Sequence, residues 1–304
     1  MGACGVKGQD AALYDGVSAA SSFCQELGVS IPVGKDSLSM KTSWKDQAGE
    51  DKTVVSPVSL VVSAAAPVYD IRNNLLPMFA ESVRDSSLLL IDLGHGKDRL
   101  GGSVYSQVTQ RFDSVTPDME DPKELKKFLE LIRSLSAKGA ILAYHDRSDG
   151  GLAAALCEMM FASHVGVEIV ADALVSKDRT LNQALFNEEL GAVIQVARGR
   201  AAEVERDFEA AGMGWSLKYL GNLTQDDHLN IYLEGKCVLS EDRVDLQKAW
   251  NEVSWQIARM RDNPECADSE YELISDKHNG GLVLTMGFDP EENLAAPFIN
   301  TGVR

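Results

Sequence analysis

The segment from residue 140 to residue 162 limits the possible folds of this chain more than any other part of the sequence. A short apolar run at 140–144 leads into the polar loop HDRSDGG at 145–151, and a helical pattern of apolar residues follows at 152–162. This order predicts a β-strand, a loop and an α-helix, a unit typical of domains in which helices cover a sheet. Ligands favour the loops that follow such strands.

The loop HDRSDGG carries side chains suited to a bound cation or phosphate. Asp146 and Asp149 are three residues apart, and the two glycines that follow lead into a predicted helix. Two carboxylates can hold a hard divalent ion, and the backbone N–H groups of a helix N-terminus attract the phosphates that the ion neutralises. The alternative is purely structural: Ser148 or Asp149 caps the helix, and the glycines form the turn.

Other parts of the chain also show periodic patterns. Asp121, Pro122 and Glu124 occupy the cap, first and third positions of a predicted helix, and apolar residues then repeat at helical spacing. A helix is predicted at about 10–27, and β-branched residues predict a strand at 53–66 after a polar stretch at 44–52. The remaining predictions are strands at 86–93, 167–170, 191–197 and 216–223, helices at 180–184, 200–211 and 240–261, a hairpin turn at 234–235 and an irregular tail after 262.

The order of these elements predicts the fold class. Strands and helices alternate without the strict regularity of an all-parallel sheet, so the chain is expected to be a mixed α+β or α/β protein. Its 304 residues suggest about two domains.

The charge balance and the apolar pattern argue against several classes of function. With 29 Lys and Arg against 46 Asp and Glu, the formal net charge is −17, and no basic block alternates with aromatic residues, so no nucleic-acid partner is expected. No apolar stretch is long enough to cross a membrane, and the N-terminus lacks a signal-peptide pattern, which favours a cytoplasmic protein without a membrane partner. The five cysteines include no CxxC pair and indicate neither disulfides nor a zinc site.

A second candidate site is the sequence Gly34-Lys35-Asp36-Ser37. Glycine allows a ligand to approach the backbone, lysine offers a charge to phosphate, aspartate can hold a metal, and serine can donate to a phosphate oxygen. The spacing is not that of a Walker A loop. A solvated turn without function is the alternative.

Two further polar segments are weaker candidates for a site. The sequence Asn-Glu-Glu at 187–189 precedes a predicted strand, in which neighbouring side chains point to opposite faces, so we expect a solvated strand entry rather than a joint site. The glycine-rich loop at 94–102 suits either an anion contact or a simple hairpin turn.

Three motifs, in their order and spacing, resemble one enzyme family. VGKDSLSMKTSW at 33–44, YHDRSDGGLAAALCEMMFA at 144–162 and LFNEELGAVIQV at 185–196 resemble the second half of the synthetase region of the large form of phosphoribosylformylglycinamidine synthase. The ending AAPFINTGVR is similar to the connection that precedes the glutaminase domain in that family. The resemblance implies a carbon–nitrogen ligase of purine biosynthesis. It would use ATP and glutamine-derived ammonia to convert formylglycinamide ribonucleotide to formylglycinamidine ribonucleotide.

The resemblance also implies an architecture like that of aminoimidazole ribonucleotide synthetase. Residues 1–84 would be the remainder of the second N-terminal domain, which pairs into a central barrel-like sheet, and 85–228 a complete second C-terminal domain. Residues 229–304 would form a hairpin, a helix and a linker toward the glutaminase domain. The chain would then be a fragment that is inactive alone, since the family's catalytic histidine and other metal ligands lie upstream of its start.

The resemblance further implies roles for individual residues. Asp146 matches a magnesium ligand of the auxiliary nucleotide site in that half, and Ser148 matches a nucleotide contact. Gly34 matches a glycine near ATP, and Ser37 matches a serine near substrate. Lys35 replaces a metal-binding asparagine, so a phosphate contact is expected there instead. The implied cofactors are ATP or ADP and Mg²⁺, and a metal site reduced to one or two ligands should bind nucleotide weakly.

The implied partners are the first synthetase half and the glutaminase domain of the same polypeptide, together with small nucleotide ligands. Without them, the exposed apolar surface of the N-terminal domain should cause self-association. An alternative is a binding module without catalysis, whose task is to hold a nucleotide and brace the catalytic half.

Overall fold

A computed structural model describes residues 1–68, 70–71, 74–111, 115–277, 279–282, 284–289 and 291–299. Its contacts divide the chain into two compact units, Met1–Arg243 and Val244–Arg304. The last residues of the AAPFINTGVR segment, 300–304, lie outside the described residues.

Two sheets lie in the first unit. The smaller is a hairpin of β1 (Lys41–Lys45) and β2 (Asp51–Val55). The larger is a sheet of seven strands with the order β4-β6-β3-β7-β5-β8-β9. Its strands are β3 (Ser86–Asp92), β4 (Ile141–Asp146), β5 (Gly166–Val170), β6 (Gly191–Ala197), β7 (Leu217–Thr224), β8 (His228–Leu233) and β9 (Lys236–Asp242).

The seven-stranded sheet is mixed. Only β5 and β8 pair in parallel, whereas every other neighbouring pair is antiparallel. The hairpin β8–β9 turns at Glu234 and Gly235, both of which have positive φ, as a two-residue hairpin loop of the primed type requires. The predicted mixed α and β class is therefore confirmed.

The first unit also contains helices, some of which begin at the expected sequence signals. Among the described residues they are α1 (Gln9–Leu27), α2 (Val104–Thr109), α3 (Pro122–Ala137), α4 (Gly151–Ser163), α5 (Leu181–Phe186) and α6 (Ala201–Ala210). Asp121 caps α3 by accepting from the Lys123 N–H, and Thr180 and Gln183 form a complete capping box on α5. The strand–loop–helix unit predicted at 140–162 is present as β4 and α4.

The core lies between the large sheet and the helices α3 and α6. Strand β3 is buried along its whole length, and Leu89 and Ile91 pack in one cluster with Phe128 of α3 and Phe208 of α6. Helix α4 is mainly apolar and is buried on most of its surface. Burial raises the pKa of the Cys157 thiol on α4 to about 12. The thiol therefore stays uncharged, and Cys157 behaves as a small hydrophobic residue, as buried free cysteines usually do.

The boundaries of two predicted elements in the first unit were wrong. The strand predicted at 53–66 ends at Val55, because no partner strand among the described residues pairs with the chain beyond it. The polar stretch at 44–52, for which no element was predicted, takes part in the β1–β2 hairpin. Residues 240–242 extend β9 rather than the following helix, since they pair with β8.

Among the described residues, the second unit contains helices at 244–273 and 296–299, with turns and irregular backbone between 274 and 295. The helices are α7 (Arg243–Arg261, which begins at the last residue of the first unit), α8 (Pro264–Leu273) and α9 (Ala296–Ile299). Helix α8 contradicts the irregular tail predicted after 262: Asn263 caps it by accepting from two backbone N–H groups, and proline occupies its first turn. Trp255 of α7 stacks on Tyr271 of α8 at 4.2 Å between ring centroids. No helix among the described residues has the length and apolarity to span a bilayer.

Candidate functional site

Three loops meet at one end of the large sheet. Strands β3 and β4 both run antiparallel to β6, so they end at the same side, where β6 and β7 begin. Asp92 lies opposite Gly191, and Asp146 lies opposite Ala192. The loop after β3, the HDRSDGG loop after β4 and the segment 187–190 before β6 are therefore neighbours.

A buried ion pair joins the ends of β3 and β4. Arg147 and Asp92 have side chains that are 0% and 2% exposed, and Arg147 Nη2 donates to Asp92 Oδ1 at 2.7 Å. Lys218 Nζ of β7 donates to Asp92 Oδ2 at 3.0 Å. Burial alone would raise the pKa of Asp92, but the attraction and hydrogen bonds of Arg147 and Lys218 hold it well below its ordinary range. Asp92 is therefore an ionised structural carboxylate.

A second buried carboxylate lies in the loop after β3. Asp98 is 5% exposed, and it accepts a hydrogen bond from Asn187 Nδ2 at 3.0 Å. The guanidinium of Arg179 lies between the two carboxylates, with Nε 2.5 Å from Asp98 Oδ2 and Nη2 3.5 Å from Asp92 Oδ2. Burial raises the pKa of Asp98 despite the nearby Arg179.

The segment 187–189 binds both the loop after β3 and the loop after β4. The carboxylate of Glu188 accepts from the backbone N–H groups of Gly150 and Val104, each at 2.9 Å. Glu189 is 1% exposed and forms a bidentate ion pair with Arg99. Asn187 is fully buried. The expected solvated strand entry was therefore wrong.

Glycine is required where α4 begins. Gly151 has a φ of +69°, and a Cβ there would lie 2.6 Å from the Asn187 carbonyl oxygen. Gly94 has a similar role in the loop after β3, since a Cβ there would lie 2.7 Å from Glu189 Cγ. The loops can pack this closely against 187–189 because Gly94 and Gly151 have no side chain.

Asp146 and Ser148 lie at the exposed edge of this network. The Tyr144 hydroxyl donates to Asp146 Oδ1, and burial together with this hydrogen bond raises the pKa of Tyr144, so the phenol stays a donor. The two residues singled out by sequence thus face solvent beside the N-terminus of α4. Sequence reasoning missed the burial of Arg147, Asp92 and Asp98 behind them, although glycines lie within three residues of each in the sequence.

The loop at 34–37 lies apart from this network. Gly34 and Lys35 are exposed and Ser37 is half-buried. Lys35 Nζ donates to the Ser37 hydroxyl at 2.6 Å and to the Asp36 carbonyl, while Gly2 N–H donates to the Ser37 carbonyl. In the part of the chain that the structure describes, no hydrogen bond or ion pair joins this loop to Asp146 or Ser148. A role for Gly34, Lys35 and Ser37 in nucleotide or substrate binding stays a prediction.

The described residues contain no group of three or more His, Cys, Asp or Glu side chains placed to hold a metal ion. Asp146 provides a single carboxylate at the edge of the network. Mg²⁺ often takes one or two carboxylates, with phosphates and water as its other ligands. The donor set therefore fits an ion carried by a nucleotide, and not a site made by protein ligands alone.

A cleft of about 510 Å³ lies beside the network, between α2 and the start of α5. Tyr105 lines it and stacks on Phe186 at 5.2 Å between ring centroids. The other lining residues are Leu100, Ser106, Arg111, Thr180, Asn182 and Gln183.

Two family models match the chain. Residues 1–67 match the FGAR-AT PurM_N-like domain, and 86–234 match the C-terminal domain of AIR synthase related proteins. The second match spans strands β3 to β8 and thus contains the whole loop network.

Solved structures of PurL from Thermotoga maritima are similar in fold. The complex with ATP is 11% identical with a TM-score of 0.51, and 75% of this chain and 34% of that chain are covered. The complex with FGAR is 13% identical with a TM-score of 0.51, and 76% of this chain and 37% of that chain are covered. The complex with AMPPCP is 10% identical with a TM-score of 0.52, and 75% of this chain and 34% of that chain are covered. This chain thus spans about a third of the length of these proteins. Residues 86–234 thus match the C-terminal domain of AIR synthase related proteins, and about three quarters of the chain are similar in fold to PurL.

Proposed function

We propose that this chain is part of the synthetase region of an FGAR amidotransferase, in which the HDRSDGG loop binds a nucleotide. The proposal extends to the reaction implied by the sequence motifs: ATP-dependent conversion of formylglycinamide ribonucleotide and ammonia to formylglycinamidine ribonucleotide. The matches to both domain models support it. The PurL structures were solved with ATP and AMPPCP.

One observation carries the assignment of the loop. Asp146 and Ser148 are exposed beside the N-terminus of α4, while the residue between them is buried. The N-terminus of a helix of 13 residues favours phosphate through the positive end of its dipole. Ser148 can donate to a phosphate oxygen, and Asp146 can share an ion that the phosphates carry. This arrangement suits ADP or ATP with Mg²⁺.

The neutralised network behind the loop favours a supporting role over catalysis. Asp92, Asp98 and Glu189 are all buried against arginine side chains, which leaves none of them available as a general base. We therefore propose that the loop holds an auxiliary nucleotide and braces a catalytic half. That half and a glutaminase domain, both of the same polypeptide, are the proposed partners.

Isothermal titration with Mg²⁺-ADP tests the proposal. The wild-type chain should bind, and Asp146→Ala should reduce the affinity at least about ten-fold. Asp178→Ala is the matched control, because it removes an exposed carboxylate from another turn. Equal loss in both variants would indicate a general charge effect, and no binding by the wild-type chain would contradict nucleotide binding by this chain.

A further inference from the structure

Arg147 differs from its two neighbours in the direction of its side chain. Asp146 and Ser148 are exposed, whereas the Arg147 side chain is fully buried. A buried arginine in a surface loop is unusual, because this residue type is almost never fully buried unless paired.

Four hydrogen bonds hold Arg147 in place. Its Nη2 donates to Asp92 Oδ1 at 2.7 Å and to the Leu190 carbonyl at 3.0 Å, and its Nε donates to the Glu189 carbonyl at 2.6 Å. Its backbone N–H donates to the Gly191 carbonyl at 2.8 Å. The loop after β4 is thereby fixed to the end of β3 and the start of β6.

The site around the guanidinium is shaped for it. A Cβ at Gly191 would lie 3.3 Å from Arg147 Nη2 and 2.3 Å from the Ile91 carbonyl oxygen, so this glycine makes room. A planar guanidinium spreads its donors over a rigid fork and so suits a carboxylate and two carbonyls, whereas the three donors of lysine share one nitrogen.

A gain in folding stability alone does not explain why Arg147 is buried at this position. Its Nη1 is buried and has no hydrogen-bond partner among the described residues, and an unsatisfied buried donor is destabilising. A buried ion pair is also often no more stable than an apolar replacement. The arrangement does, however, fix the backbone between two residues proposed to touch the nucleotide.

We propose that Arg147 is a positioning residue, which holds the 146–151 loop in the conformation that presents Asp146 and Ser148 to the nucleotide. This inference rests on the proposed function for its ligand. Its structural part, the fixing of the loop, does not depend on whether a nucleotide binds. Two separate measurements can therefore test it.

The first measurement is amide hydrogen exchange, followed by mass spectrometry of peptides that cover 145–152. Arg147→Met should speed exchange in these peptides about ten-fold or more, because the loop opens without global unfolding. Arg147→Lys keeps the charge and should give a smaller increase, and it replaces the methionine variant if that one does not fold.

Arg243→Met is the matched control. Arg243 is also fully buried, and its Nε donates to Asp227 Oδ1 at 2.7 Å. It lies beside β8 and β9, far along the strand order from β4. Any general effect of a lost buried ion pair should appear in both variants, whereas faster exchange at 145–152 should appear only at Arg147. Equal exchange in these peptides for the two variants would overturn the proposal.

The second measurement is Mg²⁺-ADP titration of the same variants. Arg147→Met should weaken binding at least about ten-fold, as removal of an orienting contact typically does, and Arg147→Lys should restore part of it. Binding as tight as in the wild type would overturn the positioning role. If the wild type itself does not bind, the proposed function fails, while the exchange result still decides whether Arg147 fixes the loop.

Discussion

Glu189 and Arg99 form a bidentate ion pair across 90 positions of sequence, with Arg99 Nε 2.6 Å from Oε1 and Nη2 2.7 Å from Oε2. The Glu189 side chain is 1% exposed and the Arg99 side chain 10%. The backbone N–H of Arg99 also donates to Oε1. The pair thus fixes the loop after β3 against the segment that begins β6.

Removing the Glu189 carboxylate should lower the free energy of unfolding substantially. Glu189→Ala leaves the Arg99 guanidinium without its main partner, and loss of one member of a buried pair typically lowers the free energy of unfolding by about 3–5 kcal/mol. Glu203→Ala is the control, because its pair with Arg200 is about one-third exposed and should contribute less than about 1 kcal/mol. Urea unfolding measures both. Similar values for the two would show that the buried pair is not a main constraint on the loops.

The low pKa of Asp92 makes part of the stability depend on pH. An acid whose pKa is lower in the folded state stabilises the fold above its unfolded pKa of about 3.9 and loses that contribution as the pH falls below it. The difference in unfolding free energy between wild type and Asp92→Asn should therefore be largest near neutral pH and shrink below about pH 4. Asp98 changes stability in the opposite direction, because burial and, to a smaller extent, the charge of Asp92 raise its pKa, and Asp92→Asn removes only the smaller of these two causes. A difference that is constant from pH 7 to pH 3 would contradict this account.

Much of the fold could be predicted because its signals are local. The cap at Asp121 and the apolar spacing after it predict α3, and the run from Ser86 to Asp92 predicts a buried strand. The strand expected beyond Val55 could not be excluded locally, since β-branched residues favour a strand only where a partner strand exists. Helix α8 was missed although Asn263, Pro264 and Glu265 form a standard start signal.

The candidate site was only partly predictable. Asp146 and Ser148 stand in a recognisable strand–loop–helix unit, so their position at a sheet end could be expected. The burial of Glu189 could not, because its partner Arg99 lies in another loop, and only the strand order brings the two together. The resemblance supplied possible roles for Gly34, Lys35 and Ser37, but the described contacts of those residues are with their own neighbours.

Two effects of a side chain at Gly151 can be measured separately: the strain of its left-handed backbone and the clash of a Cβ with the Asn187 carbonyl. Gly151→Ala introduces both a strained φ and a Cβ 2.6 Å from the Asn187 carbonyl. Gly212 has a similar φ of +72° but nothing within 4 Å, so Gly212→Ala should cost only about 1–2 kcal/mol for the left-handed backbone. Gly151→Ala should cost clearly more, since the segment 187–189 must shift, and it should weaken Mg²⁺-ADP binding as well. Urea unfolding of both variants tests this, and equal costs would mean that the loops yield easily.

The exposed apolar residues after β2 should make the isolated chain self-associate. Leu60, Val61 and Val62 are 64%, 75% and 70% exposed, and neighbouring side chains in this segment are exposed too. Contiguous apolar surface of this kind usually marks an interface. Sedimentation velocity over a wide concentration range should show a mass that rises with concentration, and Val61→Glu should shift the distribution toward monomer.

Val253→Glu distinguishes this segment from the other exposed apolar surface. Val253 on α7 is 70% exposed, so the substitution adds the same charge at a similarly exposed valine. If the segment after β2 is the interface, Val253→Glu should leave the association unchanged. A reversed result would move the interface to α7, and a wild-type chain that stays monomeric at all concentrations would contradict self-association altogether. The comparison works because a charge buried in an interface costs far more than one left in water, whereas an added charge outside the interface changes only the long-range repulsion between chains that are already strongly acidic.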